Sequence, residues 1–468
     1  MDEDINNIIL SLKKKYPVLS NNVSIHLLPD KNKCILEYDK NQKIGIEKKT
    51  DRVYINSSAA KLFQLCDGMK SIYEIIFTIF GSGEADKVDT LKSVLLFFQD
   101  AEKRGHIVIY SKQSNTPHNL RITGSLDVNY PQHVSIELTY NCNLKCPHCY
   151  ISAGEEQKSG FIPTDKLFSS LESLHNLGVS IVELTGGEPT LHPDFYKIFN
   201  FCISKFNIVA ILTNGTTITE ETAKIFGKYK NQIVMNLSID GSTPEIHDKL
   251  RGCPGSFIKT TNAARLLAAE GIRFRIAMVT YPENRRDIEN VLLLARKLGA
   301  MTFGWSPAMP FGRGKGIVWD LTEEEMIDQF KYEKSVQDKN MDFIEIIDPI
   351  QHKKQLEEKG GNCGAGHSNI VLGPTGIIRP CLLCPEEWLS LGNIFEKSPE
   401  EIFSNPMVSA LRNIVVPDRE SETCKDCCWR VFCHLCWTRG LQKAYGENVE
   451  CSWFEKSGIK QYLKKNIM

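Results

Sequence analysis

The chain has 468 residues, 42% apolar and 24% charged, the composition of a globular protein of several domains at roughly 100–200 residues each. Its 56 Lys and Arg nearly cancel 57 Asp and Glu, leaving a net charge of −1 and no basic field to recruit nucleic acid; the runs Lys13–Lys15 and Lys464–Lys465 read as solvated surface. No apolar run reaches the roughly 20 residues that span a bilayer, and MDEDINNIILSLKKKYP lacks the order of a signal peptide, so a cytoplasmic protein without membrane contact is expected.

Residues 22 to about 112 read as a small α+β unit. VSIHLL, KCILEYD, IGIEKK and RVYIN are short β-branched and aromatic runs split by turn residues. Ser57 or Ser58 offers an N-cap before AAKLFQLC, and SIYEIIFTIF and VDTLKSVLLFFQDAEKRG carry apolar residues at helical spacing. The polar SKQSNTPHNLRITGS reads as a linker. From about 131 to 335 strand-like and helix-like segments alternate. HVSIELTY, SIVELT, NIVAILT, IVMNLSID, FRIAMVT and MTFGWS are the strands, each followed by a helical stretch such as TDKLFSSLESLHNLG or RRDIENVLLLARKLG. Six βα units imply a parallel sheet with right-handed crossovers, hence an α/β open or partial barrel. CNLKCPHC, GGEP, NGT and DGS fall just after strands, where such barrels build their sites. Beyond about 360 the chain is rich in Cys, Gly and Pro with short helices at most, and a region of that kind needs metal staples.

The 16 cysteines are clustered, three in 142–149 and nine in 363–451, which in a cytoplasmic chain points to metal rather than disulfides. Cys34, Cys66, Cys202 and Cys253 stand alone and read as buried small apolar residues. Cys142, Cys146 and Cys149 form Cys-x3-Cys-x2-Cys directly after a strand. Three thiolates on one loop can hold three irons of a 4Fe–4S cube and leave the fourth open. A structural zinc takes four ligands, and only His148 is near.

CNLKCPHCY, followed in order by its companion motifs, resembles the signature of the radical S-adenosylmethionine (SAM) superfamily. The resemblance implies a partial (β/α)6 radical SAM barrel over 131–335, with SAM bound to the open iron and cleaved reductively to a 5′-deoxyadenosyl radical. It further implies that Gly186, Gly187, Glu188 and Pro189 receive the methionine ammonium, and that Thr213, Asn214, Ser238 and Asp240 face ribose and carboxylate. Arg251 would pair with the SAM carboxylate, and Tyr150 would lie near adenine.

Cys363, Gly376-x4-Cys381, Cys424-x2-Cys427-x5-Cys433-x2-Cys436 and Cys451 resemble the Cys-rich SPASM extension, placed at 360–468 after a bridging segment at 336–359. The family form has three residues, not two, between the members matched by Cys433 and Cys436, and either Cys427 or Cys428 is available in its pair. Carried over, Cys424, Cys427, Cys433 and Cys451 hold one auxiliary 4Fe–4S cluster. Cys363, Cys381 and Cys436 hold the other, with Cys384 an available fourth ligand. Paired zinc ribbons are the alternative.

NCGAGHSNIVLGPTGIIRPCLLCP, SLGNIF and FGRGKGIV resemble the thioether-forming peptide maturases, the sactipeptide and ranthipeptide synthases. INSSAAKLFQLCDGMKSIYEII is similar to their PqqD-like leader-recognition domain, a winged-helix-like α+β unit expected at 1–115. The family implies a precursor peptide as partner, its leader added as a strand to a sheet edge, and a reduced ferredoxin or flavodoxin-type electron donor. The expected reaction joins a cysteine sulfur to a carbon of the same peptide. The alternatives are carbon–carbon cross-linking, epimerisation, side-chain oxidation, or a non-catalytic zinc-stabilised binding protein.

Overall fold

The computed structural model describes residues 2–29, 34–39, 50–81, 83, 87–154, 160–316, 323–344 and 362–463, and the chain divides into two units, Met1–Tyr130 and Pro131–Met468. No helix among the described residues is long and apolar enough to cross a membrane.

In the first unit, helix α1 (Asp2–Leu12) precedes strands β1 (Tyr16–Leu19), β2 (Val23–Leu27), β3 (Cys34–Asp39) and β4 (Thr50–Ile55). Helices α2 (Ser57–Gln64), α3 (Ile72–Phe80) and α4 (Val88–Lys103) and strands β5 (Ile107–Tyr110) and β6 (Ile122–Gly124) follow. The expected strand at 44–49 lies outside the described residues. α2 is capped by Asn56, not by Ser57 or Ser58; its Oδ1 accepts from Ala59 N at 2.7 Å, which starts the helix at Ser57. α3 opens on a capping box, with Glu74 Oε2 accepting from Ser71 N at 2.7 Å, and buries Ile72, Ile75 and Ile76 along one stripe. Those side chains join Leu12, Ile25, Leu36, Phe63 and Phe98 in one core that also contains Cys34 and Cys66.

Two features were not legible in the pattern. β1 pairs antiparallel with β5 in a separate two-stranded sheet. The polar stretch after 110 does not hang free: Ser114 N donates to Gly68 O at 3.0 Å and His118 N to Asp67 O at 2.9 Å. β6 then pairs in parallel with β2, giving a sheet of order β4-β3-β2-β6.

The second unit is the expected α/β alternation. Its strands are β7 (His133–Thr139), β8 (Ile181–Gly186), β9 (Ile208–Thr213), β10 (Ile233–Ser238), β11 (Phe274–Thr280) and β12 (Thr302–Pro307). Between them run α5 (Thr164–Asn176), α6 (Phe195–Lys205), α7 (Glu220–Gly227), α8 (Pro244–Arg251), α9 (Ser256–Ala269) and α10 (Ile288–Lys297). All neighbouring pairs from β7 to β12 are parallel. In β10 and β11 buried residues alternate with half-buried ones, so one sheet face is covered more fully than the other. Cys202 is buried on α6 as expected, whereas Cys253 is half-buried in the turn after α8.

Helix α11 (Glu323–Lys339) runs into the expected bridging segment, whose residues from 345 lie outside the described ones. The chain then returns to the same sheet. β13 (Asn369–Leu372) pairs in parallel with β7, and β14 (Ile377–Arg379) and β15 (Gly392–Asn393) follow antiparallel. The C-terminal region is thus hydrogen-bonded to the strand that leads into the first cysteine loop. Past it, among the described residues, come short helices, including Pro399–Phe403, Pro406–Asn413 and Trp437–Leu441.

Candidate functional site

The motifs noted at the strand ends meet beyond β7–β10. β7 shifts register between Glu137 and Thr139 and runs into the loop of Cys142, Cys146 and Cys149. Leu144 N donates to Cys142 Sγ at 3.4 Å, Ala153 N to Cys149 Sγ at 3.3 Å, and Arg251 Nη1 to Cys146 Sγ at 3.9 Å. For Cys142 and Cys146 these donors favour the thiolate. Burial works against them, pushing the Cys142 thiol up to about 12 and raising Cys146 as well. Such sulfurs ionise when a bound cation supplies the missing charge, which suits iron ligands. No three His, Cys, Asp or Glu side chains among the described residues converge on a single-ion site. In a cube each thiolate binds a different iron, so convergence of that kind is not required.

The GGEP turn lies against this loop. Gly187 N donates to Thr139 O at 2.8 Å and Glu188 N to Asn141 O at 2.9 Å. A Cβ on Gly187 would stand 2.2 Å from Asn141 O, and one on Gly186 (φ +124°) 2.3 Å from Thr139 O, so only glycine fits at either position. Glu188 is fully buried. Its Oε1 accepts from Thr190 Oγ1 at 2.5 Å and Thr213 Oγ1 at 2.7 Å, and its Oε2 from Asn214 N at 2.8 Å. The carboxylate thus clamps the end of β8 to the end of β9. Asn214 Nδ2 in turn donates to Asn143 Oδ1 at 2.9 Å, inside the cysteine loop. Pro189 is buried at the head of a short turn, and Ser238 is half-buried at the end of β10.

Asp240 and Arg251 form the second support. Asp240 is fully buried, with Oδ1 accepting from Val279 N at 2.8 Å. Its Oδ2 lies 2.8 Å from Arg251 Nε and 3.2 Å from His148 Nε2. Burial opposes its ionisation, yet Arg251 and then His148 hold the carboxyl well below the usual carboxylate range. Arg251, expected to meet the SAM carboxylate, thus has Nε on Asp240 and Nη1 toward Cys146. Tyr150 is half-buried; burial and then Glu137 keep its phenol well above its ordinary value.

Sequence reasoning missed Arg313 as a brace of the cysteine loop. Its N donates to Cys149 O at 3.0 Å, its Nε to Cys146 O at 2.9 Å and its Nη1 to Ala153 O at 2.7 Å. Gly312 before it has φ +52°, and a Cβ there would lie 2.5 Å from Cys149 O. The FGRG run after the sixth strand was the available signal. Asn143, Thr190 and His148 were missed as well, because turn-type polar residues carry no pattern of their own.

The C-terminal thiols form two groups. Burial pushes Cys381 up to about 12, with Cys436 and Cys363 adding to the effect, and Leu383 N donates to Cys381 Sγ at 3.4 Å. Cys384 is fully buried, and burial and then Cys381 raise its thiol well above the ordinary value. In the other group, burial and then Cys451, Cys427 and Cys424 push Cys433 up to about 12. Cys428 is exposed. The shortened Cys433–Cys436 spacing is accommodated by Leu435, a branched residue held at φ +59°, whose N donates to Pro417 O at 2.8 Å.

Residues 136–295 match the Radical SAM superfamily, and residues 363–428 match the SPASM iron–sulfur cluster-binding domain. The antilisterial bacteriocin subtilosin biosynthesis protein AlbA of Bacillus subtilis is 33% identical over 97% of this chain and 99% of its own length. The sporulation killing factor maturation protein SkfB of the same organism is 29% identical over 61% of this chain and 68% of its own. Streptococcus suis SuiB has the same fold at 17–18% identity. Bound to S-adenosylmethionine it superposes with a TM-score of 0.61 over 93% of this chain and 98% of its own, and bound to precursor peptide SuiA with 0.60 over 85% and 90%. With likeness to AlbA along 97% of its length, the first cysteine loop inside the radical SAM match and Cys363 to Cys428 inside the SPASM match, the chain belongs to the radical SAM superfamily as a SPASM-containing radical SAM enzyme that uses S-adenosylmethionine and 4Fe–4S clusters.

Proposed function

We propose that this enzyme installs thioether cross-links between a cysteine sulfur and a carbon atom within a ribosomally made precursor peptide, in the manner of sactipeptide and ranthipeptide maturation. The observation that carries the reading is the 33% identity to AlbA along 97% of the chain, which spans the unit ahead of the barrel and the C-terminal cysteines alike. The relation to SkfB supports a peptide substrate.

Cys142, Cys146 and Cys149 hold the SAM-binding cluster; Cys424, Cys427, Cys433 and Cys451 hold one auxiliary cluster, and Cys363, Cys381 and Cys436, with Cys384, the other. When bound, these clusters and SAM supply hydrogen-atom abstraction by a 5′-deoxyadenosyl radical and an acceptor for the surplus electron. The chain's own residues position and enclose. The Gly186–Pro189 backbone takes the methionine ammonium; Thr213, Asn214 and Ser238 line the nucleoside side with Tyr150. Glu188 and Asp240 keep the strand ends and Arg251 in register beneath the cysteine loop, and the SAM carboxylate meets the Arg251 side. The peptide loses two hydrogens per cross-link, one to the radical and one as the thiol proton.

The leader docks on the first unit, within residues 1–115, as a strand added to β4, which ends the order β4-β3-β2-β6 and exposes Val53 and Tyr54. A reduced ferredoxin or flavodoxin-type protein in the cytoplasm donates the electron. Incubating anaerobically reconstituted enzyme with the precursor tests the reading: tandem mass spectra should show loss of two hydrogens and a Cys-to-carbon linkage. A carbon–carbon bond, an epimerised residue or an oxidised side chain would refute it. Binding of labelled leader should weaken in a Val53→Glu, Tyr54→Glu enzyme.

A further inference from the structure

Glu137 is a carboxylate with no exposure on β7, where it alternates with Val134, Ile136 and Leu138, five residues ahead of Cys142. It forms an ion pair with Arg379, the last residue of β14, two residues ahead of Cys381. β13 lies between the two strands, and Gly373 just beyond β13 lies beside the pair, its Cβ position 3.4 Å from the Tyr140 hydroxyl and 3.9 Å from Glu137 Oε2. That hydroxyl donates to Glu137 Oε2 at 3.0 Å. Arg379 is 4% exposed, and its Nη1 donates to Cys384 O at 3.1 Å, so one arm of the guanidinium meets the carboxylate and the other closes the Cys381–Cys384 turn. A planar, two-armed cation does this in one piece; a lysine cannot.

We infer that Arg379 is a positioning residue that, through Glu137 and Tyr140, fixes the Cys381–Cys384 loop relative to the Cys142–Cys149 loop and so couples SAM cleavage to modification of the peptide. The inference rests on the proposed function for the product that is counted, and on geometry alone for the rest. A buried ion pair is weak evidence for stability in itself, because apolar residues of equal size often pack as well. The pair joins two cysteine loops that are separated by more than 230 residues in sequence, and the reacting carbon has to be within reach of both centres. Displacement of reacting groups by about an ångström costs on the order of a hundredfold in rate.

The experiment compares Arg379→Gln, Arg379→Lys and the paired Glu137→Leu, Arg379→Met enzyme with the parent. The readouts are 5′-deoxyadenosine formed per modified peptide, the electron paramagnetic resonance of the reduced clusters, and anaerobic thermal unfolding of the cluster-loaded protein. The paired variant leaves no buried charge without a partner, so it should unfold like the parent while its 5′-deoxyadenosine per product rises on the order of tenfold or more. The signal of the cluster at Cys381 should change and that of the SAM-binding cluster should not. Arg379→Lys should stay uncoupled, since it keeps the charge but loses the second arm. Parental coupling and parental spectra in the paired variant would overturn the inference, as would full function of Arg379→Lys. If the parent forms no thioether, the proposed function fails, and the spectra then decide the inference.

Discussion

The two cysteine regions are built in opposite ways. The Cys142–Cys149 loop is pinned by residues at the ends of regular elements: Arg251 closes α8, Thr213 closes β9, Glu188 follows β8 and Asp240 follows β10. The region from Cys363 to Cys451 has strands of two to four residues and helices of four to eight. The first loop borrows its order from a parallel sheet with its own hydrophobic core. The second joins that sheet through β13–β15, and beyond them it has short helices that bury Phe403, Leu411, Trp437 and Leu441, linked by the turns that carry the thiols. A metal site can be laid on a scaffold, or it can be the scaffold.

Removing metal should separate the two most sharply. After anaerobic chelation, proteolysis is expected to cut first within 363–451, while the barrel strands and helices from 133 to 297 stay protected. First cuts in the barrel would break the comparison. The next effect is energetic. Arg251→Met leaves the buried Asp240 carboxylate without its cation, which should cost about 3–5 kcal/mol in denaturant unfolding of the metal-free protein. A loss under about 1 kcal/mol would mean that the loop does not depend on this support.

A pH effect of intermediate size belongs to the barrel alone. His247 is 1% exposed, its Nδ1 accepts from Asp240 N at 3.2 Å, and it is faced by Arg251, Asp240, Asp248 and His148. Burial and then Arg251 bring its imidazole down to about 4. The folded state therefore holds fewer protons than the unfolded chain, whose histidine titrates near ~6.5. The stability it contributes is complete above that value and is lost as pH falls toward 4. The loss approaches ~3 kcal/mol at about 1.4 kcal/mol per unit. His247→Gln should flatten this part of the stability–pH curve; an unchanged curve would assign the acid sensitivity elsewhere.

The smallest effect lies in the other region. At Leu435 the ordinary ranking of helix and strand substitutions should reverse, with Leu435→Gly more stable than Leu435→Ala by about 1 kcal/mol, because only glycine adopts a positive φ without strain. Equal stabilities would show that the turn relaxes when the leucine is trimmed.

The motifs around the SAM-binding loop were legible because each chemistry-bearing residue sits just after a strand whose apolar run is plain in the sequence. GGEP could be placed just after the second strand, but the close approach of its glycines to Thr139 O and Asn141 O could not be read. Hydrogen bonding of Glu188 to Thr213 and Asn214 could not be read, as it depends on which strand lies beside which. α1 was missed because its sequence is polar at the start, and β6 because a three-residue strand has no period.

Spacing and residue type alone determined the alternation of strands and helices, the cysteine triad with its companion motifs, and the clustering of nine cysteines near the C-terminus, whose division into two sets came from the family resemblance. Those are local properties, set by side-chain period, turn chemistry and thiol clustering. Only the tertiary structure decided that β13 joins the edge of β7, that Arg313 braces a loop more than 150 residues earlier, and that Glu137 meets Arg379. A buried charge cannot choose its partner from its own neighbourhood in the chain. It is paired by whatever opposite charge the completed fold brings to the same dry interior, where a lone carboxylate could not stay ionised.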